Sequence, residues 1–204
     1  MLKTRIAVFV SGGGTNLQAL IDAQTSGIIQ SGEIALVVSN HADAYAVERA
    51  RKSNIPCAII LKKECGSQEA FEQKILDTLC EYNIDMIVLA GFMSILSASF
   101  TSAYTKRILN VHPSLIPSFC GKGYYGLKVH EAALAYGVKV TGATVHYVNE
   151  VPDGGEIILQ KAVAIREHDT PETLQKRVMR LAEWKILPKA TEMVAKRLVD
   201  EKQV

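Results

Sequence analysis

An amide and an imidazole lie two residues apart in the segment RILNVHPSLIPS, residues 107–118. Asn110 and His112 end a short apolar run, and Pro113 keeps the chain before it extended. Side chains two positions apart on an extended chain leave it on the same face. An amide and a titratable ring held side by side can stabilise and protonate a developing oxyanion. A structural histidine, whose ring nitrogens are hydrogen-bonded within the core or a turn, is an equally simple interpretation of His112.

A third polar candidate, Asp153, lies in the turn sequence Pro152-Asp153-Gly154-Gly155. Within hydrogen-bond reach of His112, its carboxylate would favour the imidazolium, raise the pKa of His112 and pass protons through a water. An aspartate beside two glycines is also a common turn residue, and the sequence leaves both interpretations open. His146 lies in a strand interior, where we expect a structural role. We expect three histidines to be solvated: His41, His130 and His168.

The segment SGGGTN, residues 11–16, joins an apolar run to a helical pattern. Glycines let backbone amides approach an anion, and the N-terminus of the following helix favours negative charge. The dinucleotide fingerprint fails, because Leu17 stands where its third glycine would fall, and no Gly-Lys-Ser/Thr follows as in a Walker motif. The turn therefore predicts a phosphomonoester site rather than a dinucleotide site. A merely tight strand-to-helix turn is the alternative.

Strands and helices alternate along the first half of the chain. Apolar runs predict strands at residues 5–10, 34–39, 57–61, 85–90 and 108–111. Periodic segments between them predict helices, with Asp43 and Ser67 as caps of the second and third. This alternation favours an α/β fold with an open, mostly parallel twisted sheet and helices on both faces. Ligands then bind at the carboxyl ends of the strands, beside the glycine turn, Gly91 and His112.

The second half of the chain departs from this alternation. Residues 115–126 predict a long loop before a helix at 129–136. The runs 141–148 and 156–165 predict two sequential antiparallel strands, joined by the loop that holds Asp153. A long C-terminal helix should begin at the capping signal Thr170-Pro171-Glu172 and kink at Pro188. Its predicted inward side chains are Leu174, Val178, Leu181, Leu187 and Val194.

The composition limits the classes of partner. A chain of 204 residues with 48% hydrophobic content can bury one core, and we expect one domain over residues 1–204. The formal net charge of +2, from 23 basic and 21 acidic residues, gives no footprint for nucleic acid or an anionic membrane. The four cysteines include no CxxC pair, which argues against zinc or disulfides and favours a cytoplasmic protein. We therefore expect small-molecule ligands, with no metal, nucleic acid or membrane.

Six segments occur in unbroken order along the chain: SGGGTNLQALIDA, VVSNHADAYAVERA, VLAGFMSIL, ILNVHPSLIPSF, GATVHYVNEVPDGGEIILQ and RLAEWKILP. Together they resemble the phosphoribosylglycinamide formyltransferases, folate-dependent enzymes of purine synthesis, from about Arg5 to Pro188. The NxHPSxxP element with a downstream DGG marks the formyltetrahydrofolate-dependent transferases generally. The SGGGTN turn and the late glutamate indicate the glycinamide ribonucleotide branch.

This resemblance implies a Rossmann-like fold and formyl transfer from 10-formyltetrahydrofolate to the amine of 5-phosphoribosylglycinamide. Its implied catalytic residues are Asn110, His112 and Asp153. The implied substrate-binding residues are Gly13, Gly14, Thr15 and Asn16 on the phosphate, Gly91 near the glycinamide, and Glu183 on the ribose hydroxyls. The implied folate-binding residues are Met93, Ile95, Leu96, Val148, Asn149, Glu150, Val151 and Asp153. Residues of about 1–100 would then hold the phosphate, and about 101–204 would hold the catalytic groups and the folate.

Two features depart from the family pattern. Ser94 replaces a commoner basic residue, and the segment GKGYYG, residues 121–126, is longer than in many members, which alters the expected lid. The pattern also implies a cis bond at Ile116-Pro117.

Three other functions use the same features. A formyltetrahydrofolate hydrolase would use the same triad with water as acceptor, but that class carries an N-terminal regulatory module for which 204 residues leave no room. A methionyl-tRNA formyltransferase would need an RNA-binding domain and a basic surface. A non-catalytic nucleotide-binding module could use the same crevice, because fold does not fix function. A monomer and a homodimer are both compatible with the sequence.

Overall fold

The computed structural model describes residues 2–203, and its helices and strands follow one another in βα units over the first half of the chain. In chain order the elements are β1 (Thr4–Val10), α1 (Thr15–Thr25), β2 (Gly32–Ser39), α2 (Tyr45–Lys52), β3 (Cys57–Ile59), α3 (Lys62–Cys65), α4 (Gln68–Glu81), β4 (Met86–Leu89), α5 (Ala98–Ala103), β5 (Ile108–His112), α6 (Leu127–Tyr136), β6 (Val140–Tyr147), β7 (Ile157–Ala164), α7 (Pro171–Val178), a π-helical segment (Met179–Glu183) and α8 (Trp184–Glu201). The alternation predicted from the apolar runs is confirmed.

The strands form one open sheet in the order β3-β2-β1-β4-β5-β6-β7. Strands β1 to β5 are mutually parallel, whereas β6 runs antiparallel to β5 and β7 antiparallel to β6. The predicted mostly parallel sheet with an antiparallel pair at its end is therefore confirmed. The chain moves outward from β1 through β2 and β3 and then returns to β4 on the other side of β1. A crevice opens at such a switch point, outside the carboxyl ends of the strands.

Helices cover both faces of the sheet, as predicted. Neighbouring side chains of β1 point to opposite faces, so Val8 packs in the apolar cluster of Leu20 and Leu187, from α1 and α8. Phe9 packs on the other face with Phe71 of α4. All five side chains are fully buried. Burial on both faces explains why the parallel strands appear in the sequence as continuous apolar runs.

Two predicted helix caps had different outcomes. The cap of α4 is confirmed, because Ser67 Oγ accepts a hydrogen bond of 3.1 Å from the backbone N–H of Ala70. The Asp43 cap is wrong, since α2 has Ala44 at its N-cap and no side-chain cap. The Gly12 carbonyl accepts the Ala46 N–H at 3.0 Å instead. The glycine turn thus supplies an acceptor where a capping side chain was expected.

The C-terminal helix begins as predicted but changes register before Pro188. Thr170 and Thr173 form a capping box at the start of α7. The π-helical segment then interrupts the α-helix ahead of Pro188, which lies inside α8. A π turn adds one residue and rotates the following side chains around the axis. The inward prediction for Leu181 is therefore wrong, since it is 40% exposed, while Glu183 is turned inward and is 6% exposed.

Within residues 2–203, the structure contains no helix that is both long and apolar enough to cross a membrane. The same range holds no cluster of three or more histidine, cysteine or acidic side chains with the geometry to bind a metal ion.

Candidate active site

A cavity of about 680 Å³ opens where the carboxyl ends of β4 and β5 meet the loops around them. It brings together predicted site residues from all parts of the chain: Asn16, Gly91, Met93, Ile95, Asn110, His112, Asp153 and Glu183. The crevice predicted from the strand order is therefore lined by eight of the residues chosen from the sequence.

The ring of His112 is buried, and each of its nitrogens faces an oxygen atom. Nε2 lies 2.9 Å from the Phe119 carbonyl oxygen, so Nε2 carries a proton and donates it to that carbonyl. Nδ1 lies 3.4 Å from Asp153 Oδ2. A second proton, on Nδ1, would make the ring an imidazolium that donates to the carboxylate. The predicted contact between Asp153 and His112 is present.

The Asp153 carboxylate raises the pKa of His112, as expected, but it does not set the direction of the overall shift. Burial lowers this pKa by more than the Phe119 carbonyl and the Asp153 carboxylate raise it, so the pKa lies below its ordinary value. Desolvation disfavours the charged ring, and the single nearby carboxylate offsets that cost only in part.

His146, which the sequence placed in a structural role, contacts two of the candidate catalytic residues. Its Nδ1 lies 2.8 Å from the Tyr147 carbonyl oxygen and therefore carries the proton in the neutral ring. Nε2 then accepts a hydrogen bond of 3.2 Å from Asn110 Nδ2, and lies 3.5 Å from Asp153 Oδ1. His146 thus orients the amide of Asn110. Only strand pairing reveals this, because Asn110 and His146 are direct neighbours in the β5–β6 register.

Asp153 combines the two roles that the sequence left open. Its backbone φ is +56°, in the left-handed region that turn aspartates tolerate. Its Oδ2 also accepts the Gly121 N–H at 2.8 Å. Burial raises the pKa of Asp153, but the neighbouring His146, the hydrogen bond from the Gly121 N–H and the charge of His112 together lower it by more, so it lies below its ordinary value. A Cβ at Gly155 would overlap the Tyr147 carbonyl oxygen, which explains a glycine in this loop.

Glu183 and Asn16 form a buried pair at another part of the same cavity. Asn16 Nδ2 donates to Glu183 Oε2 at 2.7 Å. Burial raises the pKa of Glu183 to about 7, and the hydrogen bond from Asn16 lowers it by a smaller amount. Within residues 2–203, Asn16 Oδ1 has no hydrogen-bond partner. The pair therefore offers hydrogen-bonding capacity to whatever fills the cavity.

His130 was expected to be solvated, and this is wrong. The side chain is 0% exposed, because α6 packs against α7 and turns the ring towards the cavity. Burial, and to a smaller extent the charge of His112, lowers its pKa to about 4. The sequence held a signal that was missed: His130 lies three residues before Ala133, so both belong to the buried face of one helix.

The glycine turn lies beside this cavity, and only Asn16 of its predicted phosphate ligands lines it. Gly14 has φ of +69° and precedes α1, which has no side-chain cap. A Cβ on Gly13 would meet nothing within 4 Å, so the turn has an open side. Arg49 Nε donates to the Gly13 carbonyl at 2.8 Å and places a positive charge there. No pattern in the sequence predicts Arg49 at this position. Together with Thr15 it lines a neighbouring groove of about 530 Å³.

The predicted folate-binding residues surround the other side of Asn110. A smaller cavity of about 140 Å³ adjoins the large one and is lined by Ile95, Leu96, Val148, Asn149, Glu150, Val151 and Asp153. Met93 and Ile95 are 54% and 73% exposed, which gives an apolar wall suited to a flat ligand. The Ser94 hydroxyl accepts a hydrogen bond of 2.9 Å from Asn40, so it serves loop packing. The Ile116-Pro117 bond is cis, as the resemblance implied.

Known proteins of one family are similar to this chain. The formyl transferase family model matches residues 4–191. The chain belongs to the formyl transferase family. Among members of this family, the phosphoribosylglycinamide formyltransferase of Haemophilus influenzae is 44% identical over 184 residues, which cover 90% of this chain and 84% of that protein.

The human trifunctional purine biosynthetic protein adenosine-3 is 46% identical over 193 residues, which cover 95% of this chain. This formyl transferase chain spans 18% of the length of that relative. Among solved structures, glycinamide ribonucleotide transformylase 1 from Symbiobacterium toebii has a TM-score of 0.89 at 41% identity, with 95% of this chain and 88% of that chain covered. The phosphoribosylglycinamide formyltransferase of Coxiella burnetii, solved in complex with CHES, has a TM-score of 0.87 at 43% identity, with the same coverage. The resemblance and the Rossmann-like formyltransferase fold are both confirmed.

Proposed function

We propose that this protein transfers a formyl group from 10-formyltetrahydrofolate to the primary amine of 5-phosphoribosylglycinamide, in de novo purine biosynthesis. One observation carries the proposal. Asn110, His112 and Asp153 meet in a cavity that also reaches Asn16 and Glu183 on one side and the apolar residues Met93 and Ile95 on the other. The cavity can therefore hold two small molecules with the candidate catalytic groups between them.

The amide of Asn110 and the ring of His112 stabilise the tetrahedral oxyanion that forms when the amine attacks the formyl carbon. Asn110 has a second N–H besides the one that His146 receives. His112 presents Nε2–H, which the Phe119 carbonyl accepts in the free protein. An oxyanion is a stronger acceptor than a neutral carbonyl and takes its place. The Asn110 amide is already oriented by His146 and needs no rearrangement as charge develops, whereas the His112 N–H exchanges the Phe119 carbonyl for the oxyanion.

Asp153 and His112 take part in the proton transfers of the reaction. Burial keeps the His112 pKa low in the free protein, and the negative charge that develops beside the ring raises it during the reaction. Asp153, held by Gly121, accepts the hydrogen bond from the charged ring. The amine loses a proton, the leaving folate nitrogen gains one, and the bond from that nitrogen to the formyl carbon breaks. No covalent intermediate with the protein is required.

The phosphate of one substrate and the pterin of the other would be bound by residues of different chemical character. The N-terminus of α1, the open side of Gly13 and the charge of Arg49 suit a phosphate. The residues on the smaller cavity combine apolar side chains with the polar backbone of the Val148–Val151 loop, which suits a pterin. In this assignment one domain holds the phosphate with residues of about 1–100 and the catalytic groups with residues of about 101–204. The folate lies between the two parts, because Met93 and Ile95 belong to the first and the loop 148–151 to the second.

Incubation of the pure protein with 10-formyltetrahydrofolate, with and without 5-phosphoribosylglycinamide, tests the proposal. We expect tetrahydrofolate and the formylated ribonucleotide only when both substrates are present. Tetrahydrofolate without the amine would indicate a hydrolase, and no turnover with both substrates would indicate a non-catalytic binding protein.

A further inference from the structure

His130 is a buried side chain whose hydrogen bonds are not made by the protein. The ring is 0% exposed, and neither Nδ1 nor Nε2 has a partner within residues 2–203. In contrast, both nitrogens of His112 and both nitrogens of His146 face a polar atom. Buried polar groups in native proteins are nearly always paired, and leaving one unpaired costs about 1–3 kcal/mol. A partner from outside the chain is therefore expected.

The ring lines the same cavity as the pair formed by Asn16 and Glu183. Asn16 Oδ1 also lacks a partner within the described range, and the Glu183 carboxyl has one hydrogen bond, from Asn16. Three side chains that line this cavity, His130, Asn16 and Glu183, therefore have unused hydrogen-bonding capacity. A ligand that fills this space must offer several donors.

The chemistry of the ring narrows the ligand group. A neutral imidazole presents one donor and one acceptor, and the low pKa of His130, about 4, keeps it neutral near pH 7. A phosphate, which at this pH mainly accepts hydrogen bonds, would leave the acceptor nitrogen unpaired. A hydroxyl both donates and accepts, and it also suits the free acceptor of Asn16 and the carboxyl of Glu183.

We propose that His130 binds a sugar hydroxyl of the ribonucleotide substrate, alongside Asn16 and Glu183. The proposal rests on the function proposed above and adds a residue that discriminates the hydroxylated sugar from its deoxy analogues. His130 is a binding residue in this assignment and takes no part in proton transfer.

The affinity of 5-phosphoribosylglycinamide and of its 2-deoxy and 3-deoxy analogues, measured by calorimetry at pH 7.5, tests this. His130→Leu should weaken the parent ribonucleotide about tenfold, because one buried hydrogen bond is worth roughly 1 kcal/mol or more. It should leave the analogue that lacks the contacted hydroxyl unchanged, and it should not alter the affinity for 10-formyltetrahydrofolate. His130→Gln should recover part of the loss, since a carboxamide also has a donor and an acceptor. His168→Leu, at an exposed position outside the cavity, is the matched control.

A spectroscopic measurement on the unsubstituted protein decides the matter even where His130→Leu fails to fold. The ¹⁵N resonances of the His130 ring should move when the ribonucleotide is added, and should stay in place with the folate alone. The assignment would be overturned if His130→Leu weakened the binding of the parent and both deoxy analogues equally. It would also be overturned if the His130 ring resonances did not shift when the ribonucleotide was added. If the unsubstituted protein does not bind the ribonucleotide at all, the proposed function itself fails.

Discussion

The two parts of the large cavity differ in how their polar side chains are satisfied. Around β5, the contacts run in a chain from Asn110 to His146, to Asp153 and to His112. Around Asn16 and Glu183 a single hydrogen bond joins the pair, and His130, which lines the same cavity, has no partner within residues 2–203. In the first part the protein itself provides the partners of the polar side chains. In the second part some hydrogen-bonding groups have no partner among the described residues.

This difference follows from what each part does in the proposed reaction. Groups that meet a charge present only during the reaction must already be oriented by the protein, because no bound molecule orients them beforehand. Groups that hold a substrate can be satisfied by that substrate, and the cost of leaving them unpaired in the free protein favours binding. Substitutions in the two parts should therefore have different consequences.

Asn110→Ala should have the largest effect on turnover and little effect on affinity. Loss of one oxyanion donor typically lowers turnover about 100- to 1000-fold. Steady-state kinetics with both substrates checks the rate, and thermal unfolding checks that the fold is unchanged. The isosteric Asn110→Asp is the matched variant, since it keeps the size of the side chain but has no N–H donor. Near-normal turnover of Asn110→Ala would remove Asn110 from the oxyanion site.

Glu183→Gln should separate stability from binding. The pKa of Glu183 is raised from 4.5 to about 7, so the folded protein holds a proton that the unfolded chain releases above pH 4.5. The associated stability is complete below pH 4.5 and is lost as the pH rises to about 7. Glutamine does not titrate, so the variant does not lose this stability as the pH rises. At pH 8 it should be more stable than the original protein by up to about 3 kcal/mol, since one pKa unit corresponds to about 1.4 kcal/mol.

Denaturant unfolding at pH 4 and pH 8 measures this effect, with equal stabilities expected at the lower pH. The affinity for the ribonucleotide should fall in the same variant, because the carboxamide accepts fewer hydrogen bonds than a carboxylate. A stability gain that is the same at both pH values would contradict the raised pKa.

Gly13→Ala should weaken the ribonucleotide about tenfold, because a methyl group on the open side of the turn keeps the phosphate from the backbone amides. The fold should tolerate the change, since nothing lies within 4 Å of the added atom. Gly14→Ala is the contrasting variant. Its Cβ would lie 2.7 Å from Ala46 Cβ at a φ of +69°, so it should lower stability as well. Unchanged ribonucleotide affinity of Gly13→Ala in calorimetry would place the phosphate elsewhere.

Local patterns were enough to predict the elements and one part of the site. The period of the apolar residues identified the strands, and the spacing of Asn110 and His112 put both side chains on one strand end. Leu181 was assigned to the wrong face because one π turn shifts the register, and no residue type marks a π turn. Asp43 does not cap helix α2, because the Gly12 carbonyl from another βα unit accepts the Ala46 N–H at the start of that helix.

Residues that act across elements were missed, because their partners are set by tertiary packing. His146 reaches Asn110 through strand pairing, and Arg49 reaches Gly13 through the packing of α2 on the glycine turn. His130 was expected to be solvated, and only the packing of α6 on α7 shows that it is buried. Sequence spacing fixes which side chains leave one element together, whereas contacts between elements depend on register and orientation.

Asp153→Asn should give the smallest change, in the titration of His112. Burial holds the pKa of His112 down, and the Asp153 carboxylate partly offsets this by raising it. Asparagine can still accept the Gly121 N–H but carries no charge, so the pKa of His112 should fall further. Proton NMR of the His112 ring follows the shift, and Asp200→Asn, at an exposed position on α8, should leave it unchanged. A His112 titration that stays in place, or moves to higher pH, would show that the preassembled chain of contacts around β5 does not depend on the charge of Asp153.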